Sequence, residues 1–230
     1  MEKHTAYCVS LGPGDPELLT LKALGVLKSS DRIFCPGTSG GSRTGDLLLV
    51  HGIPKDRIEL FAVPMKEDRG EALETYLRVA SDVATLAKRG QKVSFVAEGD
   101  GGFYSSQLYI ADFLQGTGEV EVSFVPGVPA FIAAGARAGL HVAKGDEGLL
   151  VLPRVQSPEE LEAALREGRT VVLMKPSRSE EVIKTVLRGE KIREVHYLEN
   201  VGIEGRVFVS DDLRVILSRP FPYFSILILK

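Results

Sequence analysis

Two glycine turns hold the residues whose types and spacing could do chemistry. Gly12-Pro-Gly-Asp15 follows one apolar run, and Glu98-Gly-Asp-Gly-Gly102 follows another. A glycine turn at the carboxyl end of a strand lets backbone come close to a ligand, and open α/β sheets bind small molecules at that end. The dinucleotide fingerprint is the first chemistry to test, since it needs three glycines at fixed spacing with the third packing helix on strand. Gly12 and Gly14 fill the first two places, but Glu17 stands in the third. The nucleotide-hydrolase loop fails too, because no Gly-Lys-Ser/Thr follows. What remains is two bent backbone segments that can converge on one crevice.

A third stretch, Gly37-Thr-Ser-Gly-Gly-Ser-Arg-Thr-Gly45, is rich in glycine and hydroxyls. It lacks the lysine of a phosphate cradle and does not open cleanly into a helix, so it reads as a surface loop or a lid over a cleft. The four histidines, His4, His51, His141 and His196, are scattered without metal-ligand spacing, and no metal site is expected. Cys8 and Cys35 lie in apolar runs outside any Cys-x-x-Cys pair, which argues against a disulfide framework or a zinc site.

Composition agrees with a soluble globular protein. The 230 residues are 44% hydrophobic and 26% charged, enough for one large domain or two small ones. A formal net charge of -3 gives no bulk reason to expect nucleic acid. No apolar segment approaches the roughly 20 residues of a membrane span, and no secretory leader opens the chain, so the expected location is the cytoplasm.

The elements that must position the turns alternate short β-branched runs with amphipathic stretches, the pattern of βαβ units and a largely parallel sheet. Strands are predicted over 7–11, 32–35, 58–63, 92–97 and 120–125, and helices over 17–27, 47–50, 71–88 and 130–138. Asp15 is the expected N-cap of the first helix, with Pro16 at its first position. Asp100 is placed to open the helix after the fourth strand, so a capping role competes with a site role. Phe103 and Tyr104 likewise read either as core aromatics or as site walls.

The pattern changes between 127 and 148, and two α/β domains are expected, 1–126 with a mostly parallel sheet and 127–230 with a mixed one. Further strands are predicted over 149–152, 170–175 and 195–199, with helices over 158–166 and 179–187 between them. The last strands, 206–210 and 223–229, show no helix between them and are expected to form an antiparallel pair.

The order of these motifs resembles the tetrapyrrole methylase family. The residues that carry the resemblance are Leu-Gly-Pro-Gly-Asp-Pro-Glu-Leu-Leu-Thr-Leu-Lys-Ala from Leu11, the Glu98-Gly-Asp turn, Val-Pro-Gly-Val before a small-residue helix, and the closing Tyr-Phe-Ser-Ile-Leu. Within the family, Ala143-Lys-Gly-Asp-Glu-Gly-Leu-Leu-Val-Leu-Pro153, Pro64-Met65 and Phe103-Tyr104 look most like the precorrin-2 carbon-20 methyltransferases. The resemblance implies two α/β domains of the class III methyltransferase type, a homodimer, and S-adenosylmethionine held in a cleft between the domains. It also implies C-methylation of a reduced tetrapyrrole, precorrin-2 or its cobalt complex, in cobalamin biosynthesis.

Carried over by motif position, Gly99, Asp100, Gly101 and Phe103 line the methionine part of the cofactor, and Val128 and Ala130 contribute nearby. Met174 and Val201 flank the adenine. Pro13 is counted with the cofactor contacts, in a loop that it shares with Asp15 and that faces the tetrapyrrole. A substrate bearing several carboxylates needs cations in a mostly apolar trough. Arg43, Lys66, Arg137 and Lys144 are the main candidates, beside Arg69 and Lys175. A catalytic acid or base is not assigned, Asp15 and Tyr104 being the weak candidates. The family commonly has proline after Glu-Gly-Asp, and here Gly101 and Gly102 leave a freer turn. The rivals are methylation of another corrin carbon or of uroporphyrinogen III, and a non-catalytic metabolite-binding protein on the same scaffold.

Overall fold

The computed structural model describes residues 4–38, 40–64, 70–189 and 192–230, and divides the chain into two compact units, Met1–Pro129 and Ala130–Lys230. The first unit runs β1 (His4–Ser10), a 3-10 turn (Pro16–Leu18), α1 (Leu21–Ser29), β2 (Arg32–Pro36), α2 (Arg43–Val50), β3 (Ile58–Phe61), α3 (Gly70–Lys88), β4 (Val93–Ala97), α4 (Leu108–Thr117) and β5 (Val120–Val125). Its five strands are all parallel, in the order β3-β2-β4-β1-β5.

Side chains alternate across a strand, and β1 shows the consequence. Ala6 and Cys8 join the core with Tyr76, Val83, Phe95 and Ile110, whereas Val9 and Leu11 join Leu27, Ile33, Leu48 and Val96 in the opposite one. Helices α3 and α4 supply the first core and α1 and α2 the second. Both faces are therefore covered, which is why β4 is a continuous apolar run buried at every position. The arrangement leaves the carboxyl ends of β4, β1 and β5 side by side, and both glycine turns leave from there.

The second unit runs α5 (Ala130–Arg137), β6 (Leu149–Leu152), α6 (Pro158–Arg166), β7 (Thr170–Met174), α7 (Glu180–Gly189), β8 (Val195–Glu199), β9 (Phe208–Ser210), α8 (Leu213–Ser218) and β10 (Ser225–Leu229). Its sheet is mixed, in the order β6-β7-β10-β8-β9, with β6 and β7 parallel and β10 antiparallel to both β7 and β8. A buried polar network closes the α7 side. Glu199 takes a bidentate bond from Arg219, Nε at 3.1 Å and Nη2 at 3.2 Å, and accepts the Tyr197 hydroxyl at 2.9 Å. Lys184 binds Glu180 at 2.6 Å and the Arg219 carbonyl at 2.7 Å. Burial works to raise the Glu180 carboxyl, but Lys184 and the Phe221 N–H outweigh it and hold the group below its usual value.

Three local expectations change. The first helix begins at Leu21, because Thr20 caps it by accepting the Ala23 N–H at 3.1 Å, and Asp15 caps only the short 3-10 turn before it. The glycine-rich stretch does open into a helix, since Ser42 accepts the Gly45 N–H at 2.9 Å and starts α2. The last two strands do not pair with each other. Asp212 accepts the N–H groups of Arg214 and Val215 and starts α8 between them, so β9 pairs with β8 while β10 runs through the middle of the sheet. Among the described residues no helix is long and apolar enough to cross a membrane.

Candidate functional site

In the first unit the two glycine turns are bonded to one another. Gly12 and Gly99 exchange both backbone hydrogen bonds, at 3.0 and 2.7 Å, with φ of 73° at each. That left-handed conformation costs a side chain about 1 kcal/mol or more and costs glycine little. Ser10, the last residue of β1 and buried, accepts the Gly101 N–H at 2.8 Å. Asp100 spends both carboxylate oxygens on backbone: Oδ1 takes the Gly102 N–H at 2.9 Å, and Oδ2 takes the Gly127 N–H at 2.8 Å. The ends of β1, β4 and β5 are thus tied by four hydrogen bonds, and a fifth, from Gly102 to Asp100, closes the turn after β4.

The consequence for ligand chemistry is a matter of which atoms are spent. The N–H groups of Gly12, Gly99, Gly101, Gly102 and Gly127 are all bonded within the chain. A phosphate nest needs such groups pointing at the ligand, so this turn is not one. Helix α4 starts only at Leu108, with Gln107 at its cap, and Asp100 is therefore no helix cap. Its role is to join two turns.

Beneath the turn lies Cys8. Burial first, and then the charge of Asp100, push its thiol up to about 12, so it stays protonated at neutral pH and is no nucleophile. A Cβ on Gly101 would come within 2.9 Å of the Cys8 sulfur and 3.4 Å of the Ser10 hydroxyl. This explains why glycine stands where the family commonly has proline. Gly101→Pro is expected to lower the melting temperature, because it loses the N–H bonded to Ser10, worth about 1 kcal/mol, and crowds Cys8. Adding Cys8→Ala should restore only the part due to crowding, which thermal denaturation of the three variants would measure.

The walls of the turn are aromatic. Phe103 and Tyr104 meet edge to face at 4.7 Å, and Tyr104 holds φ of 48° with its ring 47% exposed. A bulky residue in that region carries strain of order 1–3 kcal/mol, which is characteristic of functional sites. Pro13 is buried and Asp15 accepts the Glu17 N–H at 2.9 Å. Arg43, on the first turn of α2, pairs with Glu98 at 2.7 Å, so the cation stands beside the second glycine turn. Val128 is half-buried, just after Gly127. Lys66 and Arg69 lie outside the described residues.

The remaining sequence-derived positions belong to the second unit. Ala130 opens α5 and Arg137 closes it, exposed. Lys144 is exposed in the turn before β6, its N–H bonded to Glu147 at 3.0 Å. Met174 ends β7 opposite Ile226. Val201 follows Asn200, which holds φ of 52° and donates its N–H to the Phe224 carbonyl at 2.8 Å. Lys175, φ 54°, donates to Ser225 at 3.3 Å, so the ends of β7 and β8 are both tied to the start of β10. Ser10 and Gly127 were not among the expected site residues. A serine closing an apolar strand and a glycine between two valines and two prolines were the available signals.

The fold and this knot of strand ends define a two-unit α/β protein whose glycine turns meet at the carboxyl edge of a parallel sheet. The family model for tetrapyrrole (corrin/porphyrin) methylases matches residues 5–216, and the chain belongs to that family. It is a methyltransferase. The chain is 33% identical over 185 residues to a probable cobalt-precorrin-2 C(20)-methyltransferase of Methanocaldococcus jannaschii, covering 78% of this chain and 76% of that one. It is 29% identical to the precorrin-2 C(20)-methyltransferase of a Sinorhizobium species, over 96% and 92% of the two chains. Its fold matches the crystal structure of a cobalt precorrin-4 methyltransferase with a TM-score of 0.73 at 21% identity, over 98% and 94% of the chains.

Proposed function

We propose that the chain methylates carbon 20 of precorrin-2 or its cobalt complex, with S-adenosylmethionine as donor, in cobalamin biosynthesis. The observation that carries the choice of donor is membership of the tetrapyrrole methylase family, matched over residues 5–216. The turns agree with it by not forming a phosphate cradle, since the N–H groups of Gly12, Gly99, Gly101, Gly102 and Gly127 are already bonded within the chain. Two relatives named for carbon-20 methylation of precorrin-2 or its cobalt form support the choice of substrate.

The residues present fit the donor. Pro13, Gly99, Gly101, Phe103 and Val128 supply backbone and apolar walls, and Asp100 fixes the turn from behind. S-adenosylmethionine, when bound, supplies a methyl group already activated on sulfur. The chain's own work is orientation and exclusion of water, which can account for several kcal/mol of a barrier. The five bonds holding Gly12, Gly99, Gly101, Gly102 and Gly127 provide the rigidity this requires. Arg43, Arg137 and Lys144 are assigned to substrate carboxylates. Asp15 is engaged as a cap, and no proton-transferring residue is assigned.

The reading extends to a cytoplasmic homodimer, and the free, buried thiols of Cys8 and Cys35 suit a reducing compartment. Incubation with precorrin-2 and, separately, with its cobalt complex should give a mass gain of one methyl group on one or both. Calorimetry should show binding of S-adenosylmethionine or its demethylated product. A protein that binds neither and adds no methyl would sink the assignment.

A further inference from the structure

Three cations gather at the edge of the second unit where β6 and β7 end. These strands are parallel, so their following loops leave from the same end. Arg154 and Lys175 line one shallow depression together with Leu152, Met174 and Pro176. Lys175 Nζ lies 5.2 Å from the centre of the Tyr223 ring, and the Arg178 guanidinium carbon lies 5.9 Å from the same centre. Lys175 thus belongs to both groupings.

The charges are not balanced locally. Elsewhere in this unit Arg169 meets Glu167, Lys184 meets Glu180, Arg219 meets Glu199 and Lys230 meets Glu147. Among the described residues Arg154, Lys175 and Arg178 meet no carboxylate. Glu180, the acid nearest in sequence, is already held by Lys184 and the Phe221 N–H. Lys175 and Arg178 carry like charge beside one ring, and like charges held close repel each other unless an anion is added.

Backbone strain marks the same spot. Lys175 holds φ 54° and ψ 52°, a conformation that favours glycine or asparagine, and Pro176 follows it. Proline pushes the preceding residue toward extended backbone, so Lys175 is disfavoured twice over. Strain of this kind persists where the surroundings hold a residue in place for its side chain.

We propose that Lys175, Arg178 and Arg154 form a carboxylate-binding site, and that its ligand is a side-chain carboxylate of the tetrapyrrole. The identity of the ligand rests on the methyltransferase reading above, whereas the site rests on unpaired charge and strain. The amino-acid carboxylate of the cofactor is the other source of the same chemistry.

Lys175→Gly and Arg178→Ala in the full chain distinguish the sources. Glycine suits φ 54°, so Lys175→Gly should keep or raise the melting temperature while removing the charge. The KM for precorrin-2 should rise about tenfold in each variant and depend less on salt than in the wild type, with the affinity for S-adenosylhomocysteine unchanged. Lys175→Arg should recover part of the loss. Weaker S-adenosylhomocysteine binding with an unchanged KM would keep the site and assign it to the cofactor. Unchanged KM and cofactor affinity in folded variants of an active enzyme would overturn the proposal. Fluorescence titration with uroporphyrin, a polycarboxylated tetrapyrrole, tests the site apart from catalysis. Binding that weakens in Lys175→Gly, in a protein that transfers no methyl, would keep the site and sink the methyltransferase reading.

Discussion

Gly127→Ala is expected to lower cofactor affinity by about a hundredfold or more and to cost about 1 to 3 kcal/mol of stability. The added methyl would stand 2.6 Å from the Ser10 Cβ and 2.8 Å from the Gly99 carbonyl oxygen. Neither is the end of a flexible side chain, so the loop after β5 must move away from both glycine turns. That movement pulls the Gly127 N–H off Asp100 and loosens the strand ends that the turns depend on. Ser10→Gly opens only one of the two contacts and leaves the Gly101 N–H without its acceptor. The double variant should therefore regain a minority of the lost stability. Calorimetry with S-adenosylhomocysteine and thermal denaturation of the three variants measure both effects. An alanine variant that binds as tightly as the wild type would show that the three strand ends need not be locked together.

The parallel half of this fold could be read from the chain because local signals and burial agree there. Strand β4 is buried at every position since both faces are covered, and α3 buries Tyr76, Val79, Ala80, Val83, Ala84 and Ala87 along one side, although Leu73 and Leu77 are exposed. The antiparallel half was harder. Strand β10 ends up at the centre of its sheet although it comes last in the chain, and no sequence period reports which strand pairs with which. Helix α8 is six residues long, too short for a periodic signal, and its Asp212 cap looks like any other loop aspartate.

The site was legible as motifs and obscure as contacts. Gly12, Gly99 and Asp100 could be named from the sequence, but the bonds that join them run between residues about ninety positions apart, as Ser10 to Gly101 does. Lys175 could be named as a candidate cation, but the cluster around it was hidden for a related reason. Arg154, Lys175, Arg178 and Tyr223 come from three separate loops, and only the sheet order brings them together. A left-handed lysine leaves no mark in sequence at all, because nothing in its type signals the conformation.

Asp100 separates a positioning role from direct contact with the ligand. A carboxylate that served as a cofactor contact would keep one oxygen for it, and here each oxygen holds a backbone N–H of a different loop. Asp100→Ala removes both acceptors. Gly102 is exposed, so water can replace the bond there, whereas the half-buried Gly127 N–H is left without its acceptor, at a cost of about 1 to 3 kcal/mol. Asp100→Asn keeps a carbonyl oxygen for one of the two loops but offers the other an amide that cannot accept. The expected order of kcat/KM is wild type, then Asn, then Ala, with alanine down about a hundredfold as the turn drifts from its productive place. The two variants should lose stability in the same order, and methyl transfer to precorrin-2 followed at saturating cofactor should recover little. Were Asp100 a direct contact instead, Asn and Ala would bind the cofactor equally poorly, and the melting temperature of both would stay at the wild-type value.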